Sequence, residues 1–148
     1  AGLATSVIVV DASAEHGKKA VEFGIVDSVA SLEDALHDAQ LIIVTIPVNA
    51  IQKLLPTVLD KINADTIVID GGSTKAQICK AVEAHPKRNQ FVAAHPIAGT
   101  ENSGPTAAFN GLFKNKMNII CEPAKSSERA LSVAGDVFNA LGMNVTYM

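Results

Sequence analysis

Short apolar runs alternate along the chain with amphipathic stretches of about ten residues or more. The runs are continuous rather than alternating, and they consist mainly of Val, Ile and Leu. Continuous apolar strands separated by helices are typical of a parallel sheet covered on both faces. The pattern therefore predicts one α/β domain over residues 1–148, with a doubly wound, mostly parallel sheet. The predicted strands span 6–10, 26–29, 41–46, 66–69, 91–94, 117–121 and 144–147.

Capping residues and glycines mark where the predicted helices begin and end. Ser13 and Ser31 stand at N-cap positions, and Ser126 or Ser127 caps the last helix, which ends near Leu141. The other predicted helices span 14–23, 32–39, 50–62 and 74–84, with a short helix or loop at 105–113. Pro56 lies inside the third of these helices and predicts a kink or a break there.

The composition limits the classes of partner that we expect. Of the 148 residues, 48% are hydrophobic and 18% are charged, with a net charge of −3 and no basic run, so nucleic acid and anionic membranes are not expected partners. No apolar segment approaches the roughly 20 residues that cross a bilayer, and we expect no signal peptide, because the start lacks a basic patch before an apolar run. Cys79 and Cys121 follow no metal-ligand spacing, which predicts reduced thiols in a cytoplasmic protein and no metal site.

Polar loops follow two of the predicted strands. The sequence DGGSTK, with Ser73 and Lys75, follows the strand 66–69, and HPIAGTENSG, with His95 and Glu101, follows the strand 91–94. In an open parallel sheet, ligands bind beyond the carboxyl ends of the strands. We therefore expect the Ser73 hydroxyl, the His95 imidazole and the Glu101 carboxylate to share one cleft.

These two loops also resemble the motifs of a known family. HPIAGTENSG closely resembles the His-Pro-hydrophobic-Ala-Gly-Thr-Glu-x-Ser-Gly motif of prephenate dehydrogenases, and DGGSTK resembles their Asp-x-x-Ser-x-Lys turn. The first motif is long and specific, whereas the second alone is weak. The resemblance covers the whole chain as part of the family's Rossmann-like nucleotide-binding domain. It implies a cytoplasmic NAD-dependent oxidoreductase of tyrosine biosynthesis that converts prephenate into 4-hydroxyphenylpyruvate by oxidative decarboxylation.

The resemblance also implies roles for the residues of the two loops, and each role has a simpler alternative. His95 would polarise or accept the proton of the substrate hydroxyl, or it hydrogen-bonds only to backbone. Ser73 would orient His95 or the substrate, or it caps the helix 74–84. Glu101 would close the pocket, or it is a solvated carboxylate. Lys75 is expected on the surface of the first helical turn, as the only cation near the cleft.

Two further positions suggest how NAD would bind. Asp11 ends the first predicted strand, where the family's ribose-binding acidic residue would fall; a carboxylate there favours NAD over NADP, although it could simply cap the turn. The loop after the strand 41–46 would lie along the nicotinamide ribose, unless Pro47 only terminates that strand. This loop comprises Thr45, Ile46, Pro47 and Val48.

No G-x-G-x-x-G turn occurs in the 148 residues. We expect that turn and the central first strand upstream of Ala1; otherwise the segments 6–10 and 41–46 pair directly, or another chain pairs with them. The resemblance also implies a helical dimerising domain beyond Met148, hence a homodimer in full-length form and little turnover from this chain alone. Two alternatives stay open: an arogenate dehydrogenase, and an inactive truncated domain that only binds or associates.

Overall fold

The computed structural model describes residues 2–99 and 104–148. Within these ranges strands and α-helices alternate as the apolar pattern predicts, except that only a 3-10 turn lies between the strands at 91–96 and 117–121. The strands are β1 (Ile8–Val9), β2 (Ser28–Val29), β3 (Leu41–Val44), β4 (Ile67–Asp70), β5 (Phe91–Pro96), β6 (Met117–Cys121) and β7 (Asn144–Tyr147). The α-helices are α1 (Ala14–Glu22), α2 (Leu32–Asp38), α3 (Val48–Lys61), α4 (Ala76–Ala81) and α5 (Glu128–Ala140). Short 3-10 turns span Arg88–Gln90, Pro105–Ala107 and Pro123–Lys125.

Five of the strands form the main sheet, in the order β3-β4-β5-β6-β7. β3, β4 and β5 are parallel to one another, and β7 is parallel to β6. β6, however, runs antiparallel to β5. The α/β class and the mostly parallel sheet are confirmed, and the reversed direction of β6 is a feature that the sequence pattern did not predict.

Helices cover both faces of the main sheet. On one face α2, α3 and α4 pack on the strands around the fully buried Phe91, Leu55 and Ile78. On the other face α5 packs through Ala130 and Phe138. β4 lies between β3 and β5, and all four of its residues are buried. No described helix is long and apolar enough to cross a membrane.

β1 and β2 form a separate two-stranded parallel sheet. Within the described ranges β1 does not pair with β3, so direct pairing of 6–10 with 41–46 is excluded; the other two explanations for the absent neighbour stay predictions. The prediction that 6–10 is a buried strand is wrong, because Ile8 is 48% exposed and the strand is only two residues long. In the described ranges β1 pairs with a strand on one edge only, so it lacks the second neighbouring strand that helps to bury β4.

Local capping signals predict the helix starts well. Ser13, Ser31 and Ser127 each accept a backbone N–H of their helix, from His16, Asp34 and Ala130, at 3.1–3.3 Å. Pro56 does not break α3, which continues from Val48 to Lys61. The prediction of a helix over 74–84 is too long, because α4 begins only at Ala76 and ends at Ala81.

Candidate active site

The carboxyl ends of β4 and β5 open into a cavity of about 580 Å³. Ser73, in the turn after β4, and His95, near the end of β5, both line it. The two strands are parallel neighbours, so the loops that follow them emerge at the same edge of the sheet. The other lining residues are Gly71, Pro96, Ile97, Ala98, Gly99, Phe109, Gly111, Leu112 and Lys116. The structure therefore brings the hydroxyl and the imidazole to one largely apolar cavity.

The turn that carries Ser73 is not the first turn of a helix. α4 begins two residues after Thr74, and Lys75 occupies its N-cap position without a side-chain capping hydrogen bond. The alternative that Ser73 caps a helix over 74–84 is therefore excluded. Because Ser73 is exposed and lines the cavity, its hydroxyl can meet a ligand there.

The buried carboxylate of Asp70 connects the two loops of the site. Asp70 is fully buried at the end of β4. One of its oxygens accepts the Gly72 N–H at 2.9 Å, and the other accepts the Ala94 N–H at 3.3 Å. Gly72 precedes Ser73 and Ala94 precedes His95 in the chain. A single side chain thus fixes the backbone immediately before both candidate catalytic residues.

Lys75 completes this connection from within the protein. Its ammonium donates to the Asp70 carboxylate, and at 2.6 Å to the Ala94 carbonyl oxygen. Its side chain is only 11% exposed, so the expectation of a surface residue is wrong. The reason is that the turn folds back over β4 before α4 begins. Burial raises the pKa of the Asp70 carboxyl above its ordinary value, and the Lys75 ammonium and the two backbone N–H groups oppose that rise.

His95 is placed by a strand rather than by a flexible loop. β5 extends through His95 to Pro96, two residues beyond the predicted end. On its far side β6 pairs His95 with Ile119, and the Ile97 N–H donates to the Met117 carbonyl at 2.8 Å. A side chain on a strand that is held by a ladder to its neighbour has a well-defined origin, as a catalytic group requires.

Lys116 is a lining residue that the sequence reasoning missed. It directly precedes β6, and because β6 is antiparallel to β5, the start of β6 lies beside the end of β5. The expectation that Lys75 is the only cation near the cleft is therefore wrong. Sequence spacing gave no signal for this, since an all-parallel sheet would place residue 116 at the opposite edge.

Asp11 lies after β1 and its carboxylate is exposed. One carboxylate oxygen accepts the Ser13 N–H at 2.7 Å and lies 3.9 Å from Nδ1 of His16. Asp11 therefore does stabilise the strand–helix turn, as the simpler alternative holds. Both of these contacts involve the same oxygen, so the second oxygen of the Asp11 carboxylate could accept a hydrogen bond from a ribose hydroxyl.

The loop predicted to lie along the nicotinamide ribose contains Thr45, Ile46, Pro47 and Val48. Pro47 occupies the N-cap position of α3, and its carbonyl accepts the N–H groups of Ala50 and Ile51 at 2.8 and 3.0 Å. Only the Pro47 ring is left to meet a ligand. Thr45 lines a small cavity of about 70 Å³ with Gly71, which also lines the main cavity. The loop therefore adjoins the site that holds Ser73 and His95.

Glu101 lies outside the described residues, so its expected role in closing the pocket stays a prediction. In the two described ranges no cluster of three or more His, Cys, Asp or Glu side chains could hold a metal ion. Cys79 and Cys121 are free thiols. Burial raises the pKa of Cys79 to about 11, which keeps its thiol protonated and unreactive near neutral pH.

The comparisons with known proteins agree on one family. Residues 1–147 match the family described as the nucleotide-binding domain of prephenate dehydrogenase. The chain is 31% identical over 128 residues to prephenate dehydrogenase of Bacillus subtilis, covering 84% of this chain and 34% of that protein.

Solved structures agree with this family. The structure of prephenate dehydrogenase from Aquifex aeolicus, in complex with hydroxyphenyl propionate and NAD+, superposes with a TM-score of 0.89 at 27% identity, covering 99% of this chain and 52% of that one. Arogenate dehydrogenase from Synechocystis superposes with a TM-score of 0.84 at 25% identity, covering 95% of this chain and 50% of that one. The chain thus spans about half the length of these structures and about a third of the Bacillus protein.

Proposed function

This chain belongs to the prephenate dehydrogenase nucleotide-binding domain family, and from that premise we propose that it contributes to the NAD-dependent oxidative decarboxylation of prephenate to 4-hydroxyphenylpyruvate. The observation that carries the proposal is the convergence of Ser73 and His95 on one cavity at the carboxyl ends of β4 and β5. A hydroxyl beside an imidazole can bind and deprotonate an alcohol, which is the group that this reaction oxidises.

The proposed chemistry needs one proton acceptor and no net proton release. NAD, when bound, supplies the hydride acceptor for the ring carbon that bears the hydroxyl. His95 accepts the hydroxyl proton as that carbon becomes a carbonyl. The bond to the ring carboxylate then breaks, carbon dioxide leaves, and its electron pair makes the ring aromatic. The resulting phenolate oxygen takes the proton back from His95, and Ser73 holds the same oxygen by a hydrogen bond.

The described residues that would hold NAD are Asp11 and the loop after β3. The exposed Asp11 carboxylate can accept hydrogen bonds from the ribose hydroxyls of the adenosine half and would repel a 2′-phosphate. Thr45 lies next to Gly71, where an added Cβ would be in ordinary contact at 3.6–3.7 Å with Thr45 and Pro96. The first residue of the loop proposed to meet the nicotinamide ribose therefore lies against the turn after β4.

Arogenate is the alternative substrate, and the similarity to Synechocystis arogenate dehydrogenase supports this alternative. Prephenate and arogenate share the ring hydroxyl and ring carboxylate and differ only in the side chain. Ser73 and His95 face the shared part, so they do not discriminate between the two. A module that only binds or associates is the remaining alternative, and it predicts no response of His95 to substrate.

A titration of the 148-residue chain followed by NMR tests the proposal. NAD and hydroxyphenylpropionate, the pair named for the Aquifex complex, are added separately and together to isotope-labelled protein. We expect the His95 ring and the Ser73 amide to shift with the aromatic acid, and residues 45–48 with NAD. Saturating shifts confined to other surfaces, or none, would reject the site and favour the association module.

In any preparation that turns over, His95→Ala should lower kcat by roughly 10²–10⁴-fold, because the hydroxyl proton loses its acceptor. NADH absorbance is followed with prephenate and with arogenate in parallel, which also ranks the two substrates. The variant His85→Ala, at a position outside the cavity, is the matched control for loss of a histidine. A kcat for His95→Ala equal to that of the control would remove His95 from the mechanism.

A further inference from the structure

The backbone of Lys116 is held at the edge of the cavity by an unusual turn. The preceding residue, Asn115, has a left-handed φ of 60° and donates its N–H to the Gly142 carbonyl at 2.8 Å. The Lys116 N–H donates to the Phe113 carbonyl oxygen at 3.0 Å, and the Lys116 carbonyl oxygen accepts the Asn144 N–H at 2.8 Å. The side chain therefore starts from a fixed point on the cavity wall.

The polar groups that line the cavity come from three different strand ends and share it with apolar side chains. Ser73 lies in the turn after β4, and His95 lies near the end of β5. Lys116 directly precedes β6. Apolar side chains such as Phe109 and Leu112 complete the walls. Lys75, the second lysine near the site, is paired with Asp70 and does not line the cavity. An apolar slot with a hydroxyl-binding pair and an ammonium suits a six-membered ring that carries an anion.

We propose that Lys116 binds the side-chain carboxylate of the substrate, the one that survives in the product. This inference rests on the proposed function and adds a group that determines specificity for an anionic ring substrate. The ring carboxylate leaves as neutral carbon dioxide, whereas the side-chain carboxylate keeps its charge throughout the reaction. A cation on the side-chain carboxylate therefore stabilises the ground state and the transition state alike.

The test compares binding of an acid with binding of a neutral analogue of the same shape. The probes are hydroxyphenylpropionate and hydroxyphenylpropanol, titrated into the 148-residue chain while amide and imidazole NMR signals report Kd. The variants are Lys116→Met, Lys116→Arg, and Lys114→Met as the matched control, since Lys114 lies in the same turn but does not line the cavity. Spectral dispersion checks that each variant is folded.

For Lys116→Met we expect Kd for the acid to rise by roughly two- to fivefold, while Kd for the alcohol stays unchanged. Lys116→Arg should restore most of the affinity, Lys114→Met should leave it intact, and added salt should shrink the difference between wild type and Lys116→Met. Equal acid affinity in wild type and Lys116→Met overturns the inference but leaves the proposed function standing. Failure of the wild type to bind either probe at Ser73 and His95 overturns both.

Discussion

At the residue scale, the pair formed by Asp70 and Lys75 carries the largest electrostatic effect in the site. Asp70 is fully buried, so its charge depends on the Lys75 ammonium and two backbone N–H groups. Lys75→Met removes the cation and leaves an uncompensated buried carboxylate. We expect the free energy of unfolding at neutral pH to fall by about 3–5 kcal/mol, measured by urea denaturation.

The pH dependence of that loss identifies its cause. Burial raises the pKa of Asp70, and removing Lys75 takes away an effect that lowers it. A carboxyl whose pKa is higher in the folded than in the unfolded state contributes stability at low pH, which is lost as pH rises through the folded pKa. The difference in the free energy of unfolding between wild type and Lys75→Met should therefore become smaller as pH falls toward the ordinary carboxyl pKa of about 4. The double variant Asp70→Asn/Lys75→Met is the control; a deficit independent of pH in Lys75→Met would point to lost packing instead.

At the scale of elements, the turn between β4 and α4 depends on two glycines with different surroundings. A Cβ at Gly72 would lie 3.0 Å from an Asp70 carboxylate oxygen and from Ile78 Cδ1, and 3.2 Å from Ile51 Cδ1. A Cβ at Gly71 would meet its neighbours at 3.6 Å or more. We expect Gly72→Ala to destabilise by about 1–3 kcal/mol through overpacking, whereas Gly71→Ala costs less than about 0.5 kcal/mol. Thermal unfolding of both variants gives the comparison, and equal melting temperatures would show that the turn relaxes around either methyl group.

The same elements show which features a sequence can predict. Ser13 and Ser31 are local signals that act over three residues, so the helix starts they predict are found in the structure. The direction of β6 is not local: its run of Met, Asn, Ile, Ile and Cys is equally compatible with either orientation. The burial of Lys75 and the placement of Lys116 both depend on such long-range arrangements. The sequence therefore predicted the cavity edge at Ser73 and His95 but not its cation.

At the scale of the whole molecule, the chain divides into a well-covered sheet and a sparsely covered one. β4 and β5 have neighbours on both edges and helices on both faces, whereas in the described ranges β1 and β2 pair only with each other. Several apolar side chains near this second sheet are exposed, including Val7, Ile8 and Val29. The apolar content of 6–10 led to a wrong prediction of burial, because burial depends on neighbouring elements and not on apolar content alone.

This division predicts a wide spread of local stability within one chain. Amide hydrogen exchange of β4 and β5 should require global unfolding, while β1 and β2 open locally because few buried contacts and one ladder hold them. We expect protection factors in β4 and β5 to exceed those in β1 and β2 by at least about 100-fold, measured by NMR on the 148-residue chain. The helices α3 and α5, which pack on the main sheet, serve as the internal reference and should follow β4. Equal protection in both sheets would mean that they unfold as one cooperative unit, and that the exposed apolar residues near β1 are held by contacts other than the ladder to β2.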